Sequence, residues 1–229
     1  MRVKICGIRN ERELECAVAA GADAVGFLVG QRHPSPHFIL PEHARRLASQ
    51  LPPFITPVLV THLTEPAEIL QLADSTSITT IQLHGGSRPE QILPLRKRLE
   101  GAGKLIFAVH IGTLPEEVSA AAAPYEELVD AFLLDSYDAV TGKVGGTGKT
   151  HNWKLSARFT ETTRRPVILA GGLNPDNVTR AIQTVHPFAV DANTALRPFG
   201  ELDRKTAAAF VRNAHLCTDP DFHKTEPGG

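Results

Sequence analysis

What this sequence lacks argues against three classes of protein. No stretch is long and apolar enough to span a bilayer. The formal net charge is only −1, so no excess of either sign favours nucleic acid or an anionic membrane as a partner. The three cysteines, Cys6, Cys16 and Cys217, follow no spacing typical of a disulfide framework or a thiolate metal site, and their odd number leaves at least one free. We therefore expect a cytoplasmic protein with reduced thiols, and no signal peptide because a strand begins at the N-terminus.

The chain has the length and the apolar content for one full hydrophobic core. Of its 229 residues, 42% are hydrophobic and 21% are charged, as is ordinary for a globular protein. A typical domain has roughly 150 residues, but α/β barrels run to roughly 200–250 residues as one domain. We expect a single domain over residues 1–217. Residues 218–229, which are polar with Pro and Gly, are expected to form a disordered tail.

Eight short apolar runs alternate with eight longer amphipathic stretches. The runs are continuously apolar, as expected of strands buried on both faces, and their alternation with helices predicts parallel strands joined by right-handed crossovers. The predicted strands are 3–6, 24–28, 56–60, 79–83, 105–110, 131–134, 167–170 and 188–191. The predicted helices are 11–20, 41–50, 66–73, 89–99, 115–122, 154–163, 175–184 and 203–215, and five of them begin at a proline: Pro41, Pro66, Pro89, Pro115 and Pro175.

Eight βα units of nearly equal length predict an α/β fold of the closed (βα)₈ TIM-barrel type. A doubly wound open sheet is the alternative, and the absence of a domain linker favours the barrel. In a barrel, active sites form on the loops at the carboxyl ends of the strands. The longest such loops follow the second, sixth and eighth strands, at 29–40, 136–152 and 192–202.

Cys6 ends the first predicted strand. It is either a small buried hydrophobe or a general base, and a base requires a lowered pKa. Lys4 lies on the same face of the strand as Cys6, opposite to Ile5, and is expected to favour the thiolate. The position of Cys6 at a strand tip favours a functional role.

Asp135 directly follows the sixth predicted strand, after three apolar residues. Its carboxylate either caps the following loop, or acts as a general acid whose pKa is raised by partial burial. An acid and a base at two strand tips fit an isomerisation, in which a proton is delivered at one position and removed from another.

Two glycine-rich loops follow the sixth and seventh strands. The first, residues 145–149, lacks the full P-loop pattern and is either a phosphate cradle or a flexible lid. The second contains Gly171 and Gly172 and leads into a helix, where barrel phosphate sites typically form. A tight turn is the alternative for the second loop, and its position favours phosphate.

Three histidines, His62, His84 and His110, follow or end the third, fourth and fifth strands, beside Asp135. Neighbouring imidazoles of this kind are candidates for a divalent metal such as Zn²⁺. The alternative is that each histidine hydrogen-bonds locally or to substrate. A metal would favour lyase, epimerase or hydrolase chemistry.

Several motifs together resemble the phosphoribosylanthranilate isomerase family of tryptophan biosynthesis over about the first 215 residues. They are Lys-Ile-Cys-Gly at 4–7, Ala-Gly-Ala-Asp-Ala-Val-Gly-Phe at 20–27, Ser-Pro at 35–36, Gln-Leu-His-Gly at 82–85, Leu-Asp-Ser at 134–136, Gly-Gly-Thr-Gly-Lys at 145–149 with Trp153, and Leu-Ala-Gly-Gly-Leu at 169–173. The resemblance implies a cofactor-free (βα)₈ barrel that performs an Amadori rearrangement of an aminoaldose to an aminoketose. It also implies that Cys6 is the general base and Asp135 the general acid.

The chain departs from the family pattern in its substrate-reading loops. The family has Ser-Pro-Arg in the second loop, where the arginine binds the anthranilate moiety, and this chain has His37 there, with Arg32 as a substitute in the same loop. After the eighth strand the family reads Asp-Val-Ser-Ser-Gly-Val-Glu, whereas residues 191–197 read Asp-Ala-Asn-Thr-Ala-Leu-Arg. We expect Gly171, Gly172, Asn193 and Thr194 to bind phosphate. The expected substrate-binding residues are Lys4, Arg32, His37, His62, His84, His110 and Asp191.

Three hypotheses remain open at this point. The first is a phosphoribosylanthranilate isomerase acting on a small phosphorylated or anionic substrate. The second is a paralogous barrel enzyme (a lyase, epimerase or hydrolase) on another small anionic substrate, either with or without a metal held by the strand-end histidines. The third is a non-catalytic binding protein, which the presence of both Cys6 and Asp135 disfavours. No cofactor, nucleic acid or membrane partner is expected, and the sequence does not indicate the oligomeric state.

Overall fold

The computed structural model describes residues 1–32, 35–111, 115–138, 143–144 and 152–217. The predicted tail at 218–229 and the glycine-rich loop at 145–149 lie outside these ranges. No helix of the described residues is long and apolar enough to cross a membrane.

Eight parallel strands close into a barrel, as predicted. Each strand pairs with the next, and the ring closes where the first strand pairs with the last, which excludes an open doubly wound sheet. The ring runs β1-β2-β3-β4-β5-β6-β8-β9, and its strands are β1 (Arg2–Cys6), β2 (Ala24–Leu28), β3 (Thr56–Thr61), β4 (Thr80–Leu83), β5 (Lys104–Ile111), β6 (Ala131–Asp138), β8 (Val167–Leu169) and β9 (Ala189–Ala192).

A short hairpin lengthens the sixth strand beyond the predicted end. β6 continues to Asp138, and its last two residues pair antiparallel with β7 (Lys143–Val144). Asp135 therefore lies within β6, three residues before its end, whereas the sequence placed it at the tip. The strand-end loop predicted at 136–152 begins later for the same reason.

Helices follow the strands and surround the barrel. They are α1 (Glu11–Ala20), α2 (Pro41–Ala48), α3 (Pro66–Thr76), α4 (Pro89–Leu99), α5 (Pro115–Ala122), α6 (Trp153–Thr162), α7 (Val178–Val185) and α8 (Arg204–Leu216). Four begin at a proline as predicted, because proline at the first helical position sacrifices no hydrogen bond. Asn10 caps α1 by accepting from the Glu13 N–H, and Asp203 caps α8 by accepting from the Thr206 N–H.

The predicted helix start at Pro175 is wrong. The side chain of Asn174 accepts hydrogen bonds from the N–H groups of Asp176 and Asn177, so the chain forms a turn after Asn174. α7 begins only at Val178, three residues later.

The strands separate two apolar layers. The larger layer lies between strands and helices and includes Val3 and Ile5, whereas a smaller cluster fills the barrel and includes Cys6. Successive side chains of a strand point to opposite faces, so Lys4 shares the interior with Cys6. Further up the same interior face, Gln82 and Asp135 are buried polar residues. The interior is thus packed with apolar side chains below and lined with polar groups at the mouth, which is the face formed by the carboxyl ends of the strands.

Candidate active site

The Cys6 thiol lies on the inner face of β1 at the barrel mouth. Gly26 of β2 is its cross-strand neighbour, and a Cβ built on Gly26 would be 2.7 Å from the Cys6 sulfur. The chain turns sharply after Cys6, because the N–H groups of Gly7 and Ile8 both donate to the Gly26 carbonyl at 2.9 and 3.0 Å. A glycine at position 26 therefore makes the space that the thiol occupies.

Lys4 lies two residues before Cys6 on the inner face of β1, deeper in the barrel. It forms a buried ion pair with Asp191 of β9. Its Nζ donates to Asp191 Oδ2 at 2.7 Å, and both side chains are at most 7% exposed. Burial acts to lower the pKa of Lys4, but the attraction of Asp191 and Cys6 outweighs burial, so the pKa is raised. Lys4 is therefore an ammonium group held beneath the thiol.

Burial raises the pKa of the Cys6 thiol to about 11, although Lys4 opposes the rise. The expectation that Lys4 favours the thiolate is right for the contribution of Lys4 and wrong for the net shift. The cause is that removal of the thiolate from water, together with repulsion from Asp191, outweighs one ammonium group that is already paired. Cys6 is a neutral thiol in the ligand-free protein.

Asp135 lies on the inner face of β6, opposite His110 of β5. Its Oδ1 accepts from the Ser136 N–H at 2.7 Å, and its Oδ2 is 3.4 Å from His84 Nε2. Burial acts to raise the pKa of Asp135, but the hydrogen bond and charge of His84 and the Ser136 N–H lower it below its ordinary value. The predicted rise of this pKa is therefore wrong.

Asp191 connects the thiol and carboxylate sides of the mouth. Its charge contributes to the raised pKa of Cys6, and repulsion from Asp135 acts on Asp191 itself. Asp191 is thus close enough to both Cys6 and Asp135 to interact electrostatically with each of them inside the barrel.

The three strand-end histidines are neighbours, as predicted. The ring centroids of His62 and His84 are 5.4 Å apart, and those of His84 and His110 are 5.2 Å apart. Burial and the charge of His84 lower the pKa of His110 to about 4, so its ring is neutral. Among the described residues, however, no group of three or more His, Cys, Asp or Glu side chains is arranged to hold a metal ion. The metal site considered for His62, His84 and His110 is therefore not supported.

The loop after β8 places two consecutive glycines at the mouth. Gly171 and Gly172 have φ values of +82° and +66°, in the left-handed region that favours glycine. A Cβ on Gly171 would be 2.7 Å from the Ser136 nitrogen of β6, so the loop lies close against that strand. The Asn177 side chain donates to the Gly172 carbonyl at 2.9 Å and fixes the loop to the following turn.

Comparison with known proteins identifies the family. The sequence profile of the N-(5'phosphoribosyl)anthranilate (PRA) isomerase family matches residues 3–213. The chain belongs to the phosphoribosylanthranilate isomerase family. The family resemblance seen in the motifs is thereby confirmed.

Named phosphoribosylanthranilate isomerases match nearly the whole chain. N-(5'-phosphoribosyl)anthranilate isomerase 2 of Methanosarcina mazei is 40% identical over 215 residues, which cover 93% of this chain and 94% of that protein. The isomerase of Moorella thermoacetica is 41% identical over 212 residues, which cover 92% and 88%.

Solved phosphoribosylanthranilate isomerases share the fold. The enzyme from Thermotoga maritima is 38% identical with a TM-score of 0.81, and the match covers 94% of this chain and 98% of that chain. Another isomerase structure, a complex with reduced 1-(o-carboxyphenylamino)-1-deoxyribulose 5-phosphate, is 36% identical with a TM-score of 0.78 and the same coverage.

The loop after β2 has two basic side chains, Arg32 and His37, where the phosphoribosylanthranilate isomerase pattern has the arginine of Ser-Pro-Arg. Arg32 is exposed, and its Nη2 donates to Thr64 Oγ1 after β3 at 2.7 Å. His37 is half-buried, and burial with the nearby charges of Arg197 and Arg9 lowers its pKa to about 4. Arg32 therefore carries a charge at the mouth, and His37 is neutral.

The other departure from the phosphoribosylanthranilate isomerase pattern lies after β9. Asn193 precedes a 3₁₀ turn (Thr194–Leu196), and its side-chain oxygen accepts from Arg197 Nε at 3.0 Å. The Asn193 side chain thus ties the start of this turn to Arg197.

Sequence reasoning missed the buried Arg197 as a structural contact of the site. Arg197 is 6% exposed, and it reaches Glu13 of α1 and the carbonyl of Gly7. The sequence offered one signal, which is that Glu13 follows the cap residue Asn10 by three positions and faces inward, as a buried carboxylate needing a partner would.

Proposed function

We propose that this protein converts N-(5'-phosphoribosyl)anthranilate to 1-(o-carboxyphenylamino)-1-deoxyribulose 5-phosphate, an Amadori rearrangement in tryptophan biosynthesis. The observation that carries the proposal is the placement of Cys6 and Asp135 on the inner face of one barrel mouth, linked electrostatically through Asp191. Membership of the isomerase family supplies the substrate class.

In the proposed mechanism Asp135 acts first, as the general acid. It protonates the ring oxygen of the ribose, the C1′–O bond breaks, and the anthranilate nitrogen forms a Schiff base with C1′. Cys6 then removes the C2′ proton, which gives an enolamine that tautomerises to the aminoketose. Each step moves protons or opens the ring, so acid–base groups are the machinery that this reaction requires. His84 holds the Asp135 carboxylate in place through the contact at Oδ2.

In the ligand-free protein, Cys6 and Asp135 are each in the protonation state opposite to the one that the mechanism requires. The pKa of Cys6 is raised to about 11, and that of Asp135 is lowered. The reactive form, a thiolate with a carboxylic acid, contains the same number of protons as the resting thiol with a carboxylate. Its population therefore does not change with pH between the two pKa values, and a small fraction of a strongly basic thiolate performs the reaction.

The phosphate and the anthranilate carboxylate of the substrate bind to different parts of the barrel mouth in this proposal. We assign the phosphate to the backbone of Gly171, Gly172 and the turn at Thr194–Leu196, which are adjacent because β8 pairs with β9. We assign the anthranilate carboxylate to Arg32, since neutral His37 supplies no charge.

Three buried polar atoms at the mouth are available for the sugar. Gln82 Oε1, His110 Nδ1 and Asp191 Oδ1 have no hydrogen-bond partner among the described residues. Buried polar groups are normally paired, so these atoms are the natural contacts for ribose hydroxyl groups.

The direct test follows the fluorescence of phosphoribosylanthranilate during incubation with purified protein. Wild-type protein should convert the substrate, and Cys6→Ala and Asp135→Asn should each lose roughly 10²–10⁴-fold in kcat/KM. Cys16→Ala is the matched control, because Cys16 is equally buried but belongs to α1, outside the barrel. Unchanged substrate fluorescence at high concentrations of wild-type protein would remove the proposal, and full activity of Cys6→Ala would remove the role of the thiol.

A further inference from the structure

Arg197 is a buried cation whose hydrogen bonds converge on the turn that carries Cys6. Its Nη2 donates to the Gly7 carbonyl at 2.7 Å and to the Cys6 carbonyl at 3.3 Å. Its Nε donates to the Asn193 side chain at 3.0 Å. One guanidinium therefore links the end of β1 to the loop that follows β9.

Glu13 holds the guanidinium from the opposite side. Its side chain is 2% exposed, and its Oε1 is 2.5 Å from Arg197 Nη1. Its Oε2 accepts from the Arg9 N–H at 2.9 Å, and Arg9 also pairs with the carboxylate. Burial acts to raise the pKa of Glu13, but Arg9 and Arg197 lower it, so the carboxylate is ionised and stays paired with Arg197. Four hydrogen bonds to protein groups thus engage all three nitrogens of the Arg197 guanidinium, so we treat this residue as a structural contact of the site.

The turn after Cys6 is held through its N–H groups by the Gly26 carbonyl and through its carbonyl groups by Arg197. Gly7 has a φ of +77° and no side chain, and glycine is the residue with the most conformational freedom to lose. The space beside it is filled by Asn193, because a Cβ on Gly7 would be 2.7 Å from Asn193 Oδ1. The carbonyl groups of Cys6 and Gly7 are both held by the same guanidinium.

We propose that Arg197 is a positioning residue for the reaction proposed above. Its guanidinium locks the Cys6–Gly7 turn to the loop after β9, and so fixes the distance between the proton-abstracting thiol and the phosphate-binding backbone. The inference rests on the proposed function for its chemistry and on the Arg197 contacts for its geometry.

The kinetic test compares Arg197→Met with Arg197→Lys and with Arg96→Met. A displacement of the thiol by about 1 Å predicts a loss of kcat of at least roughly tenfold in Arg197→Met, with partial recovery in Arg197→Lys, which keeps the charge but not the fork. Arg96→Met is the matched control, because Arg96 forms a part-buried pair with Asp130 at 2.6 Å, beside the amino end of β6. It should lower Tm and leave kcat within about twofold of wild type.

A double variant separates positioning from stability. Removal of Arg197 leaves Glu13 buried with one basic partner, so Arg197→Met lowers Tm as well as kcat. Glu13→Gln combined with Arg197→Met removes that buried charge and should regain Tm without regaining kcat. Recovery of kcat together with Tm, or a wild-type kcat in folded Arg197→Met, would overturn the proposal.

Thiol labelling tests the positioning role without turnover. Trypsin cleaves after Lys4, Arg9, Arg12 and Arg212, so Cys6 and Cys217 fall on different peptides and their alkylation by iodoacetamide is measured separately. Arg197→Met should label at Cys6 several-fold faster than wild type, and at Cys217 at an unchanged rate. Equal Cys6 labelling would overturn the inference even if the isomerase activity is found, and faster labelling would uphold it even if the protein fails to convert phosphoribosylanthranilate.

Discussion

Replacement of Lys4 by methionine should make the stability of this protein depend more strongly on pH. In the wild type, Lys4 Nζ donates to Asp191 Oδ2 at 2.7 Å, and Asp191 Oδ1 has no partner among the described residues. The variant therefore keeps a carboxylate that is 7% exposed but removes its ammonium partner. Removing one member of a buried ion pair costs about 3–5 kcal/mol of unfolding free energy. We expect that cost near pH 8.

The sign of the pH dependence follows from Asp191. Burial outweighs the attraction of Lys4 and raises the pKa of Asp191 in the wild type, and Lys4→Met raises it further because the opposing charge is gone. The folded variant then binds a proton that the unfolded chain, with an Asp pKa of about 3.9, has released. Stability is therefore fully present below the unfolded pKa and is lost as pH rises through the raised folded value. Near pH 4 the cost falls to that of a buried neutral group, about 1–3 kcal/mol.

Thermal unfolding of both proteins at about pH 4 and about pH 8 measures the effect. With roughly 2–4 °C of Tm per kcal/mol for a chain of this size, the Tm deficit of Lys4→Met should be some 4–8 °C larger at the higher pH. Lys4→Met combined with Asp191→Asn should remove the pH dependence. Lys104→Met is the control, because its pair with Asp130 is largely exposed at Lys104 and is worth about 0–1 kcal/mol. An equal Tm deficit at both pH values would refute the reasoning.

Three further outcomes are expected. The wild-type kcat/KM should stay level between about pH 7 and about pH 9, whereas a tenfold rise per pH unit would mean that ionisation of Cys6 alone controls the rate. Gly26→Ala should lower kcat about 10²-fold in the steady-state assay, since its Cβ would be 2.7 Å from the Cys6 sulfur, and an unchanged kcat would contradict the placement of the thiol. Gly171→Ala should raise KM roughly tenfold and weaken competitive inhibition by inorganic phosphate, because its φ of +82° and the close Ser136 nitrogen forbid a side chain without a shift of the loop. Inhibition by phosphate equal to that of wild type would place the phosphate elsewhere.

The barrel was predictable because its signals are local. Predicted and observed bounds agree for β2, α1, α4 and α5, where an apolar run or a helix-starting residue marks the boundary. The hairpin of β6 and β7 was missed because a strand of two residues carries no periodic signal. The start of α7 was missed because side-chain hydrogen bonds of Asn174 decided it, not proline.

The sequence predicts which face of a strand a site residue lies on, but not which distant residues it contacts. Alternation along β1 placed Lys4 and Cys6 on one face, and the structure agrees. The partner of Lys4 is 187 residues away, and no sequence spacing indicates which carboxylate it meets. The pKa of Asp135 went the other way from the prediction because His84, two strands away on the barrel, reaches its carboxylate. Such contacts across the barrel depend on closure, which local patterns do not encode.

Closure of β1 against β9 has a consequence for how the protein is made. In a nascent chain, Lys4 and Cys6 are translated long before their neighbours Asp191 and Arg197. Until then β1 has an unpaired edge, Lys4 lacks its Asp191 partner, and the carbonyl groups of the turn after Cys6 lack their Arg197 donor. Ribosome-bound intermediates that lack β9 therefore lack both of these contacts, and we expect no turnover from them even where the preceding helices have formed.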